Sequence, residues 1–165
     1  MGKLLVLVGL PRSGKSTRTK FYEKKGYIVI CADEIRREFG HTWKRSLEPV
    51  VNLVEQTMVR MLLKNHDVLV DETNTSEFSI RKFLQIDPAA VFEFIDTPVK
   101  TCVVRAVENK QEYLMPVINR CHENLERLKK TYGSVEFAIE VIRAEISKCK
   151  SKKSSDVVDL SLTTS

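Results

Sequence analysis

The sequence predicts an α/β fold, a parallel sheet of about five strands with helices on both faces. Three observations carry that expectation. Short apolar runs at residues 4–8, 27–31, 67–71 and 91–95 alternate with longer segments of helical period. Most of these runs lack the in-out alternation of a half-wet strand, as strands buried on both faces do. The first run leads at once into GLPRSGKS, a glycine-bearing turn between a strand and a helix.

Each element follows from local chemistry. Leu4 to Val8 is apolar at every position and reads as a buried strand. Ser16 to Lys25 reads as a short helix ending before Gly26. Tyr27 to Cys31 is the second strand, and Ala32 to Phe39 a short helix stopped at Gly40. Ser46-Leu-Glu-Pro49 opens a longer helix, with Pro in its first turn. Leu47, Val51, Val54, Met58, Met61 and Leu62 then recur at helical spacing, and Met58 and Met61 are expected in the core. Asp67 to Asp71 is the third strand. Ser76 caps a helix that Asp87-Pro88 breaks, and Val91 to Ile95 is the fourth strand. A helix from about Pro98 to Glu108, a polar connection, and a helix from Pro116 to Lys130 closed by Gly133 follow. Residues 135–142 alternate and are expected as a fifth strand, although a helix fits them nearly as well.

Length and composition fit one soluble domain. The 165 residues are 42% hydrophobic and 30% charged. The expected domain covers 1–147, and 148–165 is expected to be a loose, polar, basic tail, with Val157, Val158 and Leu160 as a possible edge strand. No window approaches the ~18 apolar residues of a membrane span, so no membrane partner is expected. The apolar start is too short for a secretory signal. Cys31, Cys102, Cys121 and Cys149 lie far apart, which suits reduced thiols in a cytoplasmic protein and disfavours a metal site. The net charge of +5 is weak support for a polyanionic partner.

GLPRSGKS matches G-x-x-x-x-G-K-[ST] in full. Glycines permit the tight turn, and the backbone amides point inward at phosphate oxygens. The candidate nucleotide-binding residues are Gly9, Pro11, Arg12, Ser13, Gly14, Lys15, Ser16 and Thr17. Lys15 suits the β- and γ-phosphates, and the Ser16 hydroxyl suits Mg²⁺. ATP with Mg²⁺ is the expected cofactor pair.

In an α/β sheet, ligands gather at the carboxyl ends of the strands. Asp33 stands just after the second strand, with Arg36 on the same helical face. The carboxylate suits a base on an attacking hydroxyl, and the arginine suits an acceptor phosphate. The alternative for Asp33 is a helix cap. Asp71 closes the third strand and is followed by Glu72-Thr73-Asn74. It suits a water on Mg²⁺ or a contact to the acceptor; the alternative is turn chemistry. Arg105 and Lys110 are candidates for a lid over the phosphates, at about 105–120. Asn109-Lys110-Gln111-Glu112 mimics a guanine-reading motif, but no D-x-x-G follows the third strand. His41-Thr42-Trp43 is a candidate acceptor pocket, with Trp43 as a stacking surface.

GLPRSGKST, CADEIRREFG and VLVDETNTS, with a later Pro-headed helix after Arg105, resemble the P-loop kinase group of bacteriophage polynucleotide 5′-kinase and, more distantly, the zeta toxins. The resemblance spans about residues 1–130. It implies a three-layer P-loop NTPase sandwich with a helical lid. It implies catalytic roles for Lys15, Asp33, Arg36 and Arg105, metal binding by Ser16 and Asp71, and acceptor positioning by Asp33, Arg36, Asp71, Thr73 and Asn74. Transfer of the ATP γ-phosphate to a nucleic-acid hydroxyl is the implied activity, with the 5′-hydroxyl foremost. A hydroxymethylated base or a small molecule is the alternative acceptor. The group's catalytic lid arginine falls at Asn109 here. Lys110 is a candidate substitute without the planar fork of arginine, and Arg12 adds a cation where a small residue is usual. Oligomeric state is left open.

Overall fold

The computed structural model describes the backbone of residues 2–40 and 43–159 and side chains through residue 149. The sheet holds four parallel strands in the order β2-β3-β1-β4. They are β1 (Leu4–Val8), β2 (Ile28–Ile30), β3 (Val68–Val70) and β4 (Val91–Phe94). The helices are α1 (Lys15–Glu23), α2 (Ala32–Glu38), α3 (Glu48–Leu62), α4 (Glu77–Ile86), α5 (Val99–Glu108), α6 (Met115–Tyr132) and α7 (Val135–Asp159).

The pleat of β1 divides the core into layers. Leu4 and Val6 join Val68, Val70 and Ile30 in a cluster with side chains from α2, α3, α4, α6 and α7. Leu5 and Leu7 face the other way, with Leu69, toward Tyr22 of α1 and Tyr27. A third cluster packs Leu10 against Cys102 and Ala106 of α5 and Ile118 and Cys121 of α6. The last cluster roots the α5–α6 hairpin directly beside the GLPRSGKS loop. These layers give the α/β three-layer architecture expected.

Three expectations need correction. Residues 135–142 are not a strand; they begin α7. Val135, Ala138, Ile139, Ile142 and Ile146 are all buried, a spacing of three and four that a helix satisfies on one face. Val157 and Val158 are not an edge strand: residues 148–159 continue α7. Leu160 lies outside the described residues. Met58 and Met61 are not core, with Met61 64% exposed. The buried stripe of α3 is centred on Val51, Glu55 and Val59, which rotates both methionines to the rim.

β4 has no strand on its outer edge among the described residues. A groove of about 580 Å³ lies beside it, lined by Phe92, Phe94 and Phe137 among others. Among the described residues, no helix is long and apolar enough to cross a membrane.

Candidate functional site

β1 delivers Gly9 to the carboxyl end of the sheet, where the loop turns back on itself. The Gly9 amide donates to Thr73 O at 2.9 Å, tying the loop to the segment after β3. A Cβ on residue 9 would lie 2.9 Å from Ser13 Oγ and 3.1 Å from Ile95 O, closer than side-chain carbons approach. Gly14, at φ 108°, takes the left-handed turn that starts α1. Lys15 Nζ donates to Gly9 O at 3.0 Å and Leu10 O at 2.7 Å. Burial lowers the pKa of this ammonium, and the Asp71 carboxylate opposes that shift.

The loop fits a phosphate. Ser13 Oγ is buried without a hydrogen-bond partner inside it, an orphan of the kind that a ligand oxygen satisfies. The amides at the head of a helix such as α1 lack intrahelical acceptors and favour an anion there. Ser16 and Thr17 are exposed at the head of α1. Asp71, just past β3, accepts a hydrogen bond from Thr19 Oγ1 at 2.7 Å, and that hydroxyl also lies 3.1 Å from Lys15 O. A hydroxyl at Ser16 and a carboxylate at Asp71 are the hard oxygen donors that Mg²⁺ takes alongside substrate phosphates. Among the described residues, no cluster of three His, Cys, Asp or Glu side chains could hold a metal.

On the acceptor side, Asp33 is not the helix cap. Cys31 occupies the N-cap of α2, which has no side-chain cap bond. The Asp33 side chain is 81% exposed, with Oδ1 2.6 Å from Arg36 Nη1. Its charge is also felt at Lys15. Arg36 is only 16% exposed and is gripped from its other side by Glu48, Nε to Oε1 and Nη2 to Oε2, each at 2.8 Å. The Glu48 hydrogen bonds, opposed by burial, push the arginine pKa up.

Behind this pair lies a second charged cluster. Lys82 of α4 donates to Glu55 of α3 at 2.5 Å and to Asn52 Oδ1 at 3.3 Å, and it sits 3.6 Å from Glu72. Burial, then the charge of Glu55, pushes the Glu72 carboxyl up to about 7, while Lys82 pulls it down. Asn74, at φ 47°, is buried, and its Nδ2 donates to Leu7 O at 2.9 Å. Its amide therefore ties the loop after β3 to β1.

The α5–α6 hairpin and the turn before it reach the phosphate loop. Arg105 Nη1 donates to Arg12 O at 3.1 Å and to Ser13 O at 3.4 Å, and Thr97 Oγ1 donates to Ser13 O at 2.8 Å. Arg12 adopts φ 64°, a left-handed conformation, which is the physical reason a small residue suits this position. Asn109 Nδ2 donates to Arg105 O at 2.7 Å, so it closes α5. Lys110 is exposed just beyond that helix. Trp43 is exposed, whereas His41 and Thr42 lie outside the described residues. Thr97 lies in the stretch after β4 that the strand-end rule marks, whereas Thr19, Glu48, Glu55 and Lys82 are the site residues that sequence reading missed. Only Thr19 carried a signal, lying one helical turn after Lys15.

Comparison with known proteins identifies the family. Residues 4–132 match the family model AAA_33, described as an AAA domain. L-seryl-tRNA(Sec) kinase from Methanococcus maripaludis is 29% identical over 134 residues, 74% of this chain and 52% of that protein. The chain thus spans about half the length of this curated relative. A chain in the structure of the Pnkp1/Rnl/Hen1 complex superposes with a TM-score of 0.58 at 28% identity, covering 63% of this chain and 39% of that one. A chain of the Pnkp1/Rnl/Hen1 RNA repair complex gives 0.57 at 25% identity, covering 72% and 45%. Shikimate kinase from Acinetobacter baumannii, in complex with shikimate, shares the fold over 94% of this chain and 95% of its own, with a TM-score of 0.52 and 19% identity. With residues 4–132 matched, the chain belongs to the AAA_33 family of P-loop kinase domains.

Proposed function

We propose that the chain is an ATP-dependent phosphotransferase that moves a phosphoryl group to a hydroxyl carried by nucleic acid, foremost a polynucleotide 5′-hydroxyl. One observation carries the reading. Asp33 presents an exposed carboxylate just past β2, braced by Arg36, at the same carboxyl edge of the parallel sheet to which β1 delivers the phosphate loop. A protein that only binds nucleotide needs no base there. The likeness to chains of the Pnkp1/Rnl/Hen1 RNA repair complex favours RNA or DNA as acceptor. The likeness to L-seryl-tRNA(Sec) kinase favours a second reading, a hydroxyl on a group that RNA carries.

ATP supplies the phosphoryl group, and Mg²⁺ neutralises its charge. Lys15 and the loop amides hold the phosphates, with Ser16 and Asp71 toward the metal. Arg12, Arg105 and Lys110 add positive charge at the mouth. Asp33 accepts the acceptor proton at Oδ2, the oxygen not engaged by Arg36. Phosphoryl transfer asks a protein mainly for positioning, electrostatics and one hydroxyl-orienting base, and these residues supply all three.

The test is transfer of labelled γ-phosphate to 5′-hydroxyl oligonucleotides, seryl-tRNA, hydroxymethylated duplex DNA and nucleotide sugars in parallel. Asp33→Asn should retain ATP binding and lose about 10²–10⁴-fold in transfer. Full activity of that variant, or transfer to small molecules alone, refutes the reading.

A further inference from the structure

The site contains an internal competitor for the acceptor. Arg36 is the cation nearest Asp33, and its guanidinium is the natural receptor for an acceptor phosphate. Yet its side-on fork, Nε and Nη2, is filled by both oxygens of Glu48. A third N–H group goes to Asp33. Two carboxylates therefore surround one guanidinium, leaving the trio one negative charge in excess. The pair is well shielded, at 16% and 21% side-chain exposure, so the attraction is weakly screened. Among the described residues, Lys82 is held by Glu55 and Glu72, and Lys15 donates to the carbonyls of Gly9 and Leu10.

We propose that Glu48 sets acceptor specificity by standing in for the acceptor phosphate on Arg36. The inference rests on the kinase reading and deepens it. A carboxylate presents two oxygens to the fork as a phosphate does, so the two anions compete for the same donors. A hydroxyl carried on an uncharged moiety reaches Asp33 without disturbing the pair. An acceptor with a phosphate next to its reacting hydroxyl must displace Glu48 first. Glu48 thereby cancels the advantage that Arg36 would otherwise give to phosphate-flanked hydroxyls, the 5′-hydroxyl of a polynucleotide among them, over hydroxyls without that neighbour.

The probes are thymidine and 3′-phosphorylated thymidine, which carry the same 5′-hydroxyl. Binding is followed by the fluorescence of Trp43, the one tryptophan of the chain and five residues before Glu48, in the presence of a non-transferable ATP analogue. In the unmodified protein the two probes should bind within about threefold of each other, because Glu48 holds the fork. Glu48→Gln should shift that ratio about tenfold toward the phosphorylated probe, the scale of one charge-assisted contact. Adding Arg36→Gln to that variant should erase the shift, which a merely structural Glu48 would not predict. Glu48→Asp, which keeps the charge but shortens the reach, should fall between and serves if the glutamine variant does not fold. A native protein that already prefers the phosphorylated probe tenfold, an unchanged ratio in Glu48→Gln, or no phosphate-dependent binding in any variant overturns the inference. Loss of the kinase reading shows separately, as absence of labelled-phosphate transfer to every hydroxyl tested.

Discussion

Lys82→Met tests the charged cluster behind the site. Lys82 and Glu55 are both buried and lie 2.5 Å apart, and Glu72 shares the same ammonium at 3.6 Å. Lys82 binds Glu55 at Oε2, and the buried Oε1 has no hydrogen-bond partner. Methionine keeps the volume but removes the cation, leaving two carboxylates facing each other in a water-poor space. Breaking a buried ion pair from one side costs about 3–5 kcal/mol, whereas replacing both partners is close to neutral. We expect Lys82→Met to lose about 3–5 kcal/mol at pH 8, measured by urea unfolding followed by circular dichroism. The loss should shrink at pH 5.5, because a protonated carboxyl needs no counter-ion. Glu55→Leu combined with Lys82→Met should recover to within about 1–2 kcal/mol of the native protein. The single variant should also weaken transfer, since Glu72 adjoins Asp71. A single variant within about 1 kcal/mol of native at pH 8 would refute the reasoning, because no surrounding group would then depend on the ammonium.

Three further outcomes follow from the same geometry. Glu72 holds its proton to about 7 when folded, against an ordinary value of 4.5. The folded state therefore binds the extra proton, and this contribution to stability falls as pH rises from about 4.5 through 7. The ceiling is about 3 kcal/mol, cut to about 1–2 by the 21% exposure of the side chain; Glu72→Gln should flatten that part of the Tm-versus-pH curve, and an unchanged slope would count against it. Lys15→Ala should lower transfer by at least about 10²-fold, since the ammonium stabilises phosphate charge; turnover near the native rate would contradict this. Gly9→Ala should cost about 1–3 kcal/mol by overpacking against Ser13 and Ile95 and weaken binding of a fluorescent ATP analogue, and native affinity would show that the turn yields without harm.

The parts of the site that depend on local chain chemistry were legible in the sequence. The phosphate loop, its strand and its helix occupy one contiguous stretch, so motif and context could be checked together. Asp33 and Arg36 were legible as a pair because three residues on a helix share a face. The partners from elsewhere in the chain were not. Glu48 meets Arg36 across twelve positions and Lys82 meets Glu55 across twenty-seven, and no pattern in either segment marks the pairing. Glu55 misled the reading of α3, since a carboxylate at the centre of a buried stripe hides the true core face. The stretch from 135 onward satisfied both a two-residue and a helical period over eight residues; Ile146 extends only the helical one.

Parallel sheets end in strands whose outward main-chain groups invite another strand to join. β4 is such a margin, and its flanking groove is lined with phenylalanine. Arg143 of α7 donates to Pro88 O and, at 3.2 Å, to Ala90 O, where the chain enters that strand. The long helix that replaced an expected strand therefore plants a cation at the vulnerable border. A charge at an open sheet margin disfavours strand-to-strand joining between molecules.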